Sequence, residues 1–301
     1  MGAYTIRELE NLSGIKAHTI RIWEKRYGLI TPQRTSTNIR SYCDSELKKL
    51  LNISILNRNG IKISRIAQLS PDEITGKINE FTQEVTSTES QIESLTMAMI
   101  DMDEYRFEHV LARSIILFGF EETVIRVLYP FFVRVGLMWQ TGSVNPVQEH
   151  FITNLVKQKF YAAIDGLVGQ EKEGAKLLMF FLPEGEFHEI GLLFSCYLAR
   201  KHGCRTIYLG QSLPLNDLEE ALHTKKVDFL FTTLISSYSG IELPEYIGLL
   251  SAKFSKHIIY LSGSRVMQYE EDLPPNIRIL TSPALFLKEL ERIQPVPVPA
   301  D

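Results

Sequence analysis

The sequence has few of the features that mark secreted, membrane-spanning or metal-clustering proteins. Its 301 residues include three cysteines, Cys43, Cys196 and Cys204, and none of them forms a C-x-x-C pair. This argues against a disulfide framework and against a cysteine-rich zinc site. No apolar run approaches the roughly 18 residues that a membrane span needs. The first ten residues contain no apolar signal region, so we expect a cytoplasmic protein with no membrane partner.

Motifs of common enzyme classes are also missing. The absence of G-x-G-x-x-G and of G-x-x-x-x-G-K-[ST] disfavours dinucleotide and nucleoside triphosphate cofactors. G-x-S-x-G is absent as well, and no set of Ser, His and Asp residues suggests a nucleophilic hydrolase. We therefore expect that the protein is not an enzyme.

Positive charge is concentrated in one part of the chain. Residues 1–70 contain 12 Lys and Arg against 5 Asp and Glu, whereas the remaining residues contain 20 against 31. The net charge of −4 therefore hides a basic module joined to an acidic body. This asymmetry favours a nucleic-acid-binding module on a sensing or assembly body.

The basic module has the pattern of a helix-turn-helix. Thr5 and Glu8 have the spacing of a capping box at the start of the first helical pattern, which Gly14 ends. Helical spacing resumes from Lys16 to Tyr27, and two short helices joined by a Gly-containing turn are typical of this motif. The second helix carries side chains suited to phosphates and base edges, namely Lys16, His18, Thr19, Arg21, Lys25 and Arg26.

A polar, turn-rich stretch with two arginines follows at residues 32–42, as a hairpin wing would require. Together with Tyr4–Leu9 and Thr19–Leu29, it resembles the winged-helix DNA-binding domain of MerR-type transcriptional regulators over roughly residues 3–72. The resemblance implies that the second helix enters the major groove and the wing contacts the backbone or minor groove. It also implies that dimers bind a pseudo-palindromic, double-stranded operator. The residues implied to contact DNA are Lys16, His18, Thr19, Arg21, Arg26, Tyr27, Arg34, Arg40 and Tyr42.

The middle of the chain is helical by its apolar spacing. We assign residues 1–75 to the DNA-binding domain (the head), 76–90 to a polar linker and 91–168 to a four-helix bundle. The four helical patterns cover about residues 92–101, 104–117, 121–140 and 146–166.

One end of this bundle gathers a flat apolar side chain and two polar groups. Trp139 ends the third pattern, and Glu149 and His150 lie near the start of the fourth. The Trp-x9-Glu-His spacing resembles the helical cap of cobalamin-binding photoreceptor regulators.

From Ala175 the pattern alternates between apolar strands and amphipathic helices. Five strands are predicted, at about residues 175–182, 205–209, 229–234, 258–261 and 277–280. The alternation predicts a Rossmann-like, doubly wound parallel sheet over residues 174–295. The predicted fold is thus multidomain α plus α/β: a winged helix-turn-helix, a four-helix bundle and a Rossmann-like sheet.

The loop after the first of these strands carries Glu186-x-His188-x-x-Gly191, at the sheet edge where open α/β folds bind ligands. Glu186 is placed to accept the second ring N–H of His188 and fix its tautomer, and Gly191 lets a bulky group approach the backbone. The motif resembles the Asp-x-His-x-x-Gly motif of cobalamin-binding Rossmann-like domains, with Glu for Asp. By resemblance, His188 ligates the cobalt from below, and Thr232 and Gly263 line a slot for the nucleotide tail of the cofactor.

These matches together resemble the CarH/CarA/LitR group of regulators. The resemblance implies a transcriptional repressor that binds adenosylcobalamin, or methylcobalamin, with Trp139, Glu149 and His150 roofing the upper face. Loaded protein would assemble into dimers or tetramers on the operator. Light would break the cobalt–carbon bond and disassemble the oligomer.

Two departures from the family pattern keep alternatives open. Ser264 replaces a glycine that the family often has, which would narrow the slot, and Gln140 follows Trp139 where light-sensing members can have His. One alternative is a MerR-type regulator that has lost its cofactor and acts through a protein partner. The other is a corrinoid methyl carrier, against which the basic head argues.

Overall fold

The computed structural model describes residues 3–34, 40–58, 60–84, 88–140, 142–236, 242–267, 269 and 272–293. The chain divides into two compact units, Met1–Leu155 and Val156–Asp301, and the boundary falls inside one long helix. None of the helices in the described ranges is long and apolar enough to cross a membrane.

The head is a winged helix-turn-helix, as predicted. Its elements are β1 (Ala3–Tyr4), α1 (Ile6–Ser13), α2 (Ala17–Tyr27), β2 (Gln33–Arg34), β3 (Arg40–Cys43), α3 (Asp44–Arg58) and α4 (Ile63–Ile66). Thr5 and Glu8 form the predicted capping box, and Gly14 ends α1 with a φ of 70° that an L side chain rarely adopts. Strands β2 and β3 pair antiparallel as the stem of the wing, and the wing tip at residues 35–39 lies outside the described residues.

The structure corrects the predicted linker at residues 76–90. Helix α5 (Pro71–Glu84) runs through most of it, and α6 (Thr88–Asp101) begins before its end. Ser70 and Glu73 form a second capping box, with N–H to side-chain oxygen distances of 2.8 and 3.2 Å. The Ser, Thr and Glu residues that suggested a linker therefore belong largely to helices.

The predicted helical patterns of the middle segment are confirmed as α6, α7 (Glu104–Thr123), α8 (Tyr129–Gln140) and α9 (Pro146–Asp165). A π-helical turn, Val124–Leu128, leads into α8. Gly119 breaks α7 with φ and ψ of 78° and 164°, which explains the break in apolar spacing after residue 117. Helix α6 packs against α7 and α8 and supplies ten consecutive buried residues.

The second unit contains the predicted doubly wound sheet. Its strands are β4 (Leu177–Pro183), β5 (Arg205–Leu213), β6 (Phe229–Thr233), β7 (Ile258–Ser262) and β8 (Ile277–Ile279). They run parallel in the order β5-β4-β6-β7-β8. Helices α10 (Ile190–Lys201), α11 (Leu215–Thr224) and α12 (Leu243–Lys253) follow β4, β5 and β6, and α13 (Pro283–Ile293) follows β8. Strand β5 lies on one side of β4, and strands β6 to β8 lie on the other, so the direction in which the chain adds strands reverses at β4. The loop after β4 therefore lies at a topological switch point.

Both faces of the sheet are covered by apolar side chains. Met179 and Phe181 of β4 face a cluster that includes Leu218 of α11 and Ile247 of α12. On a neighbouring strand, the ring of Phe231 lies 5.2 Å from that of Phe180 and 4.8 Å from that of Phe286 on α13. Each such ring contributes about 1.5–3 kcal/mol by its burial, so the strand ends are held on a rigid base.

The three cysteines are free thiols, as the sequence predicted. Cys196 and Cys204 are buried in the second unit, and Cys43 is half-buried in the head. Burial raises the pKa of the Cys196 thiol to about 11, which leaves it protonated and unreactive at neutral pH.

Candidate cofactor site and DNA-binding surface

A buried carboxylate organises the loop after β4. Glu186 has no exposed side-chain surface, and its carboxylate accepts hydrogen bonds from four backbone N–H groups, the Ser236 hydroxyl and the His188 ring. Its Oε1 accepts from the backbone N–H groups of Phe187 and His188, each at 3.0 Å. Its Oε2 accepts from the N–H groups of Ile235 and Ser236 at 3.0 and 2.7 Å, and from the Ser236 hydroxyl at 2.9 Å. Glu186 thereby ties the loop after β4 to the chain that follows β6.

His188 is oriented by this carboxylate. Its Nδ1 lies 2.7 Å from Oε1 of Glu186, while the His188 side chain is 59% exposed. Burial opposes ionisation of Glu186, but the hydrogen bonds from His188, Ser236 and Ile235 outweigh it and hold the pKa of Glu186 well below its ordinary value. An ionised carboxylate only accepts, so Nδ1 carries the proton and the lone pair of the neutral ring is on Nε2. The site therefore presents an imidazole nitrogen suited to a metal ion.

Replacing Glu186 with Gln is expected to lower the free energy of unfolding at pH 7 by about 3 kcal/mol, because the amide turns an NH2 group towards N–H donors. The folded-state pKa lies below the ordinary value of about 4.5, so the stabilisation is complete above that pH and is lost as the pH falls below it. Denaturant unfolding of both proteins between pH 7 and pH 3.5 measures this. A difference that stays constant over that range would contradict the role of the ionised carboxylate.

Glu189, which follows His188 in the chain, anchors the start of α10. The sequence analysis did not predict a role for it. Its buried carboxylate lies 2.7 Å from Nζ of Lys157 and accepts from the hydroxyls of Tyr161 and Tyr208 at 3.3 and 2.8 Å. Burial and the Glu189 charge raise the pKa of Tyr208, so this hydroxyl remains a donor. Lys157 and Tyr161 belong to α9 and Tyr208 to β5, so Glu189 holds three elements of the second unit beside the His188 loop.

The strand ends next to this loop contain unsatisfied polar groups. The buried hydroxyl oxygens of Thr232 and Thr233 have no hydrogen-bond partner among the described residues. Gly191 faces Thr233, and a Cβ atom at position 191 would lie 3.6 Å from its Cγ2. The two hydroxyls point to opposite faces of the sheet because side chains alternate along a strand, and the Thr233 hydroxyl, beside Gly191, fits a polar ligand group that enters between β6 and α10.

The backbone conformation at position 263, just after β7, requires a glycine. Its φ is 104°, and an added Cβ would lie 2.8 Å from the backbone nitrogen of Leu234 and closer still to its carbonyl oxygen. The neighbouring Ser264 is exposed to solvent.

Gly263→Ala is therefore expected to reduce the free energy of unfolding by at least about 2 kcal/mol, through backbone strain and displacement of Leu234. Ser264→Ala is the matched control and is expected to change it by less than about 0.5 kcal/mol. Thermal and denaturant unfolding of both variants tests this, and equal stability of the two would contradict the close approach at position 263.

The three residues predicted to roof the cofactor lie at the surface of the first unit. Trp139, on the last turn of α8, is 51% exposed. Glu149, in the first turn of α9, accepts from the Thr153 hydroxyl at 2.9 Å. Nδ1 of His150 lies 3.3 Å from Oε2 of Glu149, and the His150 side chain is 74% exposed. These side chains are available to a ligand, whereas His188 belongs to the second unit.

The head presents most of the predicted DNA-contacting residues to solvent. Arg26 also packs on its neighbour, with its guanidinium carbon 5.4 Å from the ring centroid of Tyr27. Lys16 is paired with Glu10 at 3.0 Å, although its side chain remains 72% exposed. The exposed residues of the set are Lys16, His18, Arg21, Arg26 and Arg34, and Thr19 and Tyr27 are half-buried.

The wing differs from the prediction at Tyr42, and it places Arg40 in an ion pair. Tyr42 is fully buried, so its side chain does not face DNA, and its hydroxyl donates to Oε2 of Glu24 at 3.2 Å. Burial and the Glu24 charge raise the pKa of Tyr42 to about 12. Nε of Arg40 lies 3.2 Å from the other oxygen of Glu24, so this half-buried arginine is already paired. Both residues fix the wing to α2, and Glu24 is the supporting residue that local sequence patterns did not reveal.

Comparison with known proteins agrees with these features. Residues 4–73 match the MerR HTH family of regulatory proteins, and residues 91–164 match the B12 binding domain. The HTH-type transcriptional repressor CarH of Myxococcus xanthus is 28% identical over 291 residues, covering 89% of this chain and 96% of CarH. The chain thus joins a segment that matches the MerR HTH family to a segment that matches the B12 binding domain, and it is similar to CarH over most of its length. The transcriptional repressor CarA of the same organism is 22% identical, covering 89% of this chain and 94% of CarA.

One solved structure has a similar fold over about two thirds of the chain. The monomethylamine corrinoid protein of Methanosarcina barkeri superposes with a TM-score of 0.51 and 14% identity, covering 68% of this chain and 100% of that one. This likeness concerns fold alone. Because CarH and CarA are transcriptional regulators, the comparisons agree with the prediction that the chain is not an enzyme.

Proposed function

We propose that this regulator binds adenosylcobalamin and that the loaded and unloaded forms differ in their affinity for a DNA operator. The observation that carries the proposal is the Glu186–His188 pair, in which an ionised, fully buried carboxylate fixes the imidazole with its lone pair on Nε2. That nitrogen would hold the cobalt of the cofactor. The half-exposed side chain leaves access for a large planar group.

The strand ends complete the lower side of the proposed site. Thr232 offers a buried hydroxyl to the nucleotide tail of the cofactor, and Gly263 keeps the backbone of β7 close to Leu234. Glu189 keeps α10 and its preceding loop in place through Lys157, Tyr161 and Tyr208. The residues of the chain thus bind the cofactor, orient the imidazole of His188 and exclude water from the site.

Trp139, Glu149 and His150 are the residues of the first unit that would contact the alkyl group of the cofactor. An exposed indole at a helix end supplies a flat apolar cover, and the carboxylate and imidazole next to it supply polar handles for the alkyl group. When bound, adenosylcobalamin supplies a cobalt–carbon bond that light can break. Gln140, and not a histidine, directly follows Trp139 in this chain. We therefore assign to His150 the role of the imidazole beside the alkyl group.

The regulator acts in the cytoplasm as a repressor, and the cobalamin-loaded form is a homodimer or homotetramer that occupies the operator. DNA contacts come from α2 and the wing, with Arg21 on the exposed face of α2. A tenfold difference in operator affinity between the two forms needs about 1.4 kcal/mol of differential binding free energy. A few contacts made in only one ligand state suffice for this.

An absorption spectrum tests the proposal. The full-length protein is mixed with adenosylcobalamin, desalted in the dark and then illuminated. Retained cobalamin with a histidine-ligated spectrum that changes under light is the expected result. Retention without a lasting change would remove light from the proposal and leave a cobalamin-dependent regulator. Loss of all cobalamin on desalting would contradict cofactor binding and favour a regulator that works through a protein partner.

A further inference from the structure

Tyr4 joins the head to the helical bundle within the first unit. Its side chain is 1% exposed, and its hydroxyl lies 2.7 Å from Oδ1 of Asp44 and 2.9 Å from the carbonyl oxygen of Ser143. Asp44 begins α3 of the head, whereas Ser143 belongs to the segment between α8 and α9. The single hydroxyl proton of Tyr4 thus faces one acceptor from each side.

The Ser143 segment is short and leads directly to the proposed cofactor roof. It connects Trp139, on the last turn of α8, with Glu149, in the first turn of α9. Ser143 is 4% exposed, and its N–H donates to the carbonyl oxygen of Met138 at 2.8 Å. A shift of Trp139 therefore moves the carbonyl oxygen that Tyr4 contacts, because both are fixed to the end of α8.

Two further contacts extend the same interface along α3 and α6. The buried hydroxyl of Ser54 donates to Oε1 of the buried Glu93 at 3.3 Å. Lys48 forms an ion pair with Asp101 near the end of α6. We call the contacts of Tyr4, Lys48 and Ser54 with the bundle the head–bundle seam. It holds the head against α6 and the α8–α9 segment.

We propose that Tyr4 is the positioning residue that couples the cofactor roof to the DNA-binding head. The inference rests on the proposed function, since it assumes that cofactor state changes operator affinity. Desolvation at this buried point makes the Tyr4 hydrogen bonds sensitive to small displacements of Ser143. Burial and the neighbouring Asp44 raise the pKa of Tyr4, so the hydroxyl keeps its proton at all physiological pH values. A displacement of the roof thus reaches the head through the contact between Tyr4 and Ser143.

The test is Tyr4→Phe in the full-length protein, which keeps the ring and removes the hydroxyl. The measured quantity is the ratio of operator dissociation constants without and with adenosylcobalamin in the dark. The probe is a DNA fragment enriched by the wild-type protein from a random double-stranded pool. We expect the ratio to move about fivefold towards one, with cobalamin retention unchanged.

Two matched variants also remove a buried tyrosine hydroxyl that faces a carboxylate. Tyr42→Phe perturbs the Glu24 contact inside the head, and Tyr260→Phe perturbs the Glu289 contact in the second unit. Both are expected to keep the wild-type ratio within about twofold. A Tyr4→Phe ratio equal to that of wild type would overturn the inference, and so would an equal loss in Tyr42→Phe. If Tyr4→Phe fails to fold, Asp101→Asn at the partly exposed end of the seam replaces it, and the ratio is expected to move further towards one than in either control.

Failure of the proposed function gives a different result. In that case the wild-type ratio is itself one, or cobalamin is not retained, before any variant is compared. A wild-type ratio well above one that Tyr4→Phe leaves intact contradicts only the role of Tyr4.

Discussion

Replacing His188 with alanine is expected to weaken cobalamin binding at least about 100-fold, so that cofactor is lost on desalting. The imidazole is the only proposed protein ligand to the cobalt, and changes to residues that merely support a metal-bound histidine already cost 10- to 100-fold. Any residual complex should show the spectrum of cobalamin without a histidine ligand. Equilibrium titration followed by absorption measures both effects.

The matched control is His223→Ala, because His223 is an exposed histidine on α11 of the same unit. It is expected to retain cobalamin like the wild type. Circular dichroism should show the same secondary structure in both variants, since His188 is largely exposed. Full affinity and an unchanged spectrum in His188→Ala would rule out the proposed ligand.

Arg21→Ala is expected to lower operator affinity roughly 10- to 100-fold without changing cobalamin retention. Arg21 is exposed on α2, and in a MerR-type head this helix is the element expected to enter the major groove. Loss of an arginine that contacts a base edge costs about 1–3 kcal/mol and relaxes specificity at that position. Binding to operator fragments with single base changes would identify the contacted base pair.

Salt dependence separates the roles within the head. Arg34→Ala, on β2 of the wing, is expected to reduce the dependence of log affinity on log salt by about one, as for a phosphate contact. The exposed Lys225 in the second unit provides the control, and Lys225→Ala should change neither affinity nor slope.

Wild-type operator binding by Arg21→Ala would contradict the assignment of α2 as the recognition helix.

The features that the sequence predicted well are those encoded by local patterns. The capping box at Thr5, the break at Gly14 and the apolar strand Leu177–Pro183 each depend on residues within one element. The Glu186–His188 contact was also predictable, because the two residues lie in one short loop at the end of a buried strand. Such contacts need only spacing and the known direction of parallel strands.

Features that depend on distant partners were not predictable in the same way. Polar residues around 76–90 suggested a linker, but a polar surface is equally compatible with the helices that the structure contains. Tyr42 was predicted to contact DNA, but its hydroxyl donates a hydrogen bond to Glu24, which lies 18 residues away in the sequence. Glu189 gave no local signal because its partners come from α9 and β5. Burial of a single polar side chain is decided by tertiary packing, which a one-dimensional pattern does not contain.

Operator affinity measured on the full-length protein with and without saturating adenosylcobalamin, in the dark, tests the central claim most directly. The account predicts that the loaded form binds the enriched DNA fragment at least about tenfold more tightly, and that His188→Ala abolishes this difference. Equal affinity of the two forms, with cobalamin demonstrably bound, would contradict the claim that the cofactor controls DNA binding.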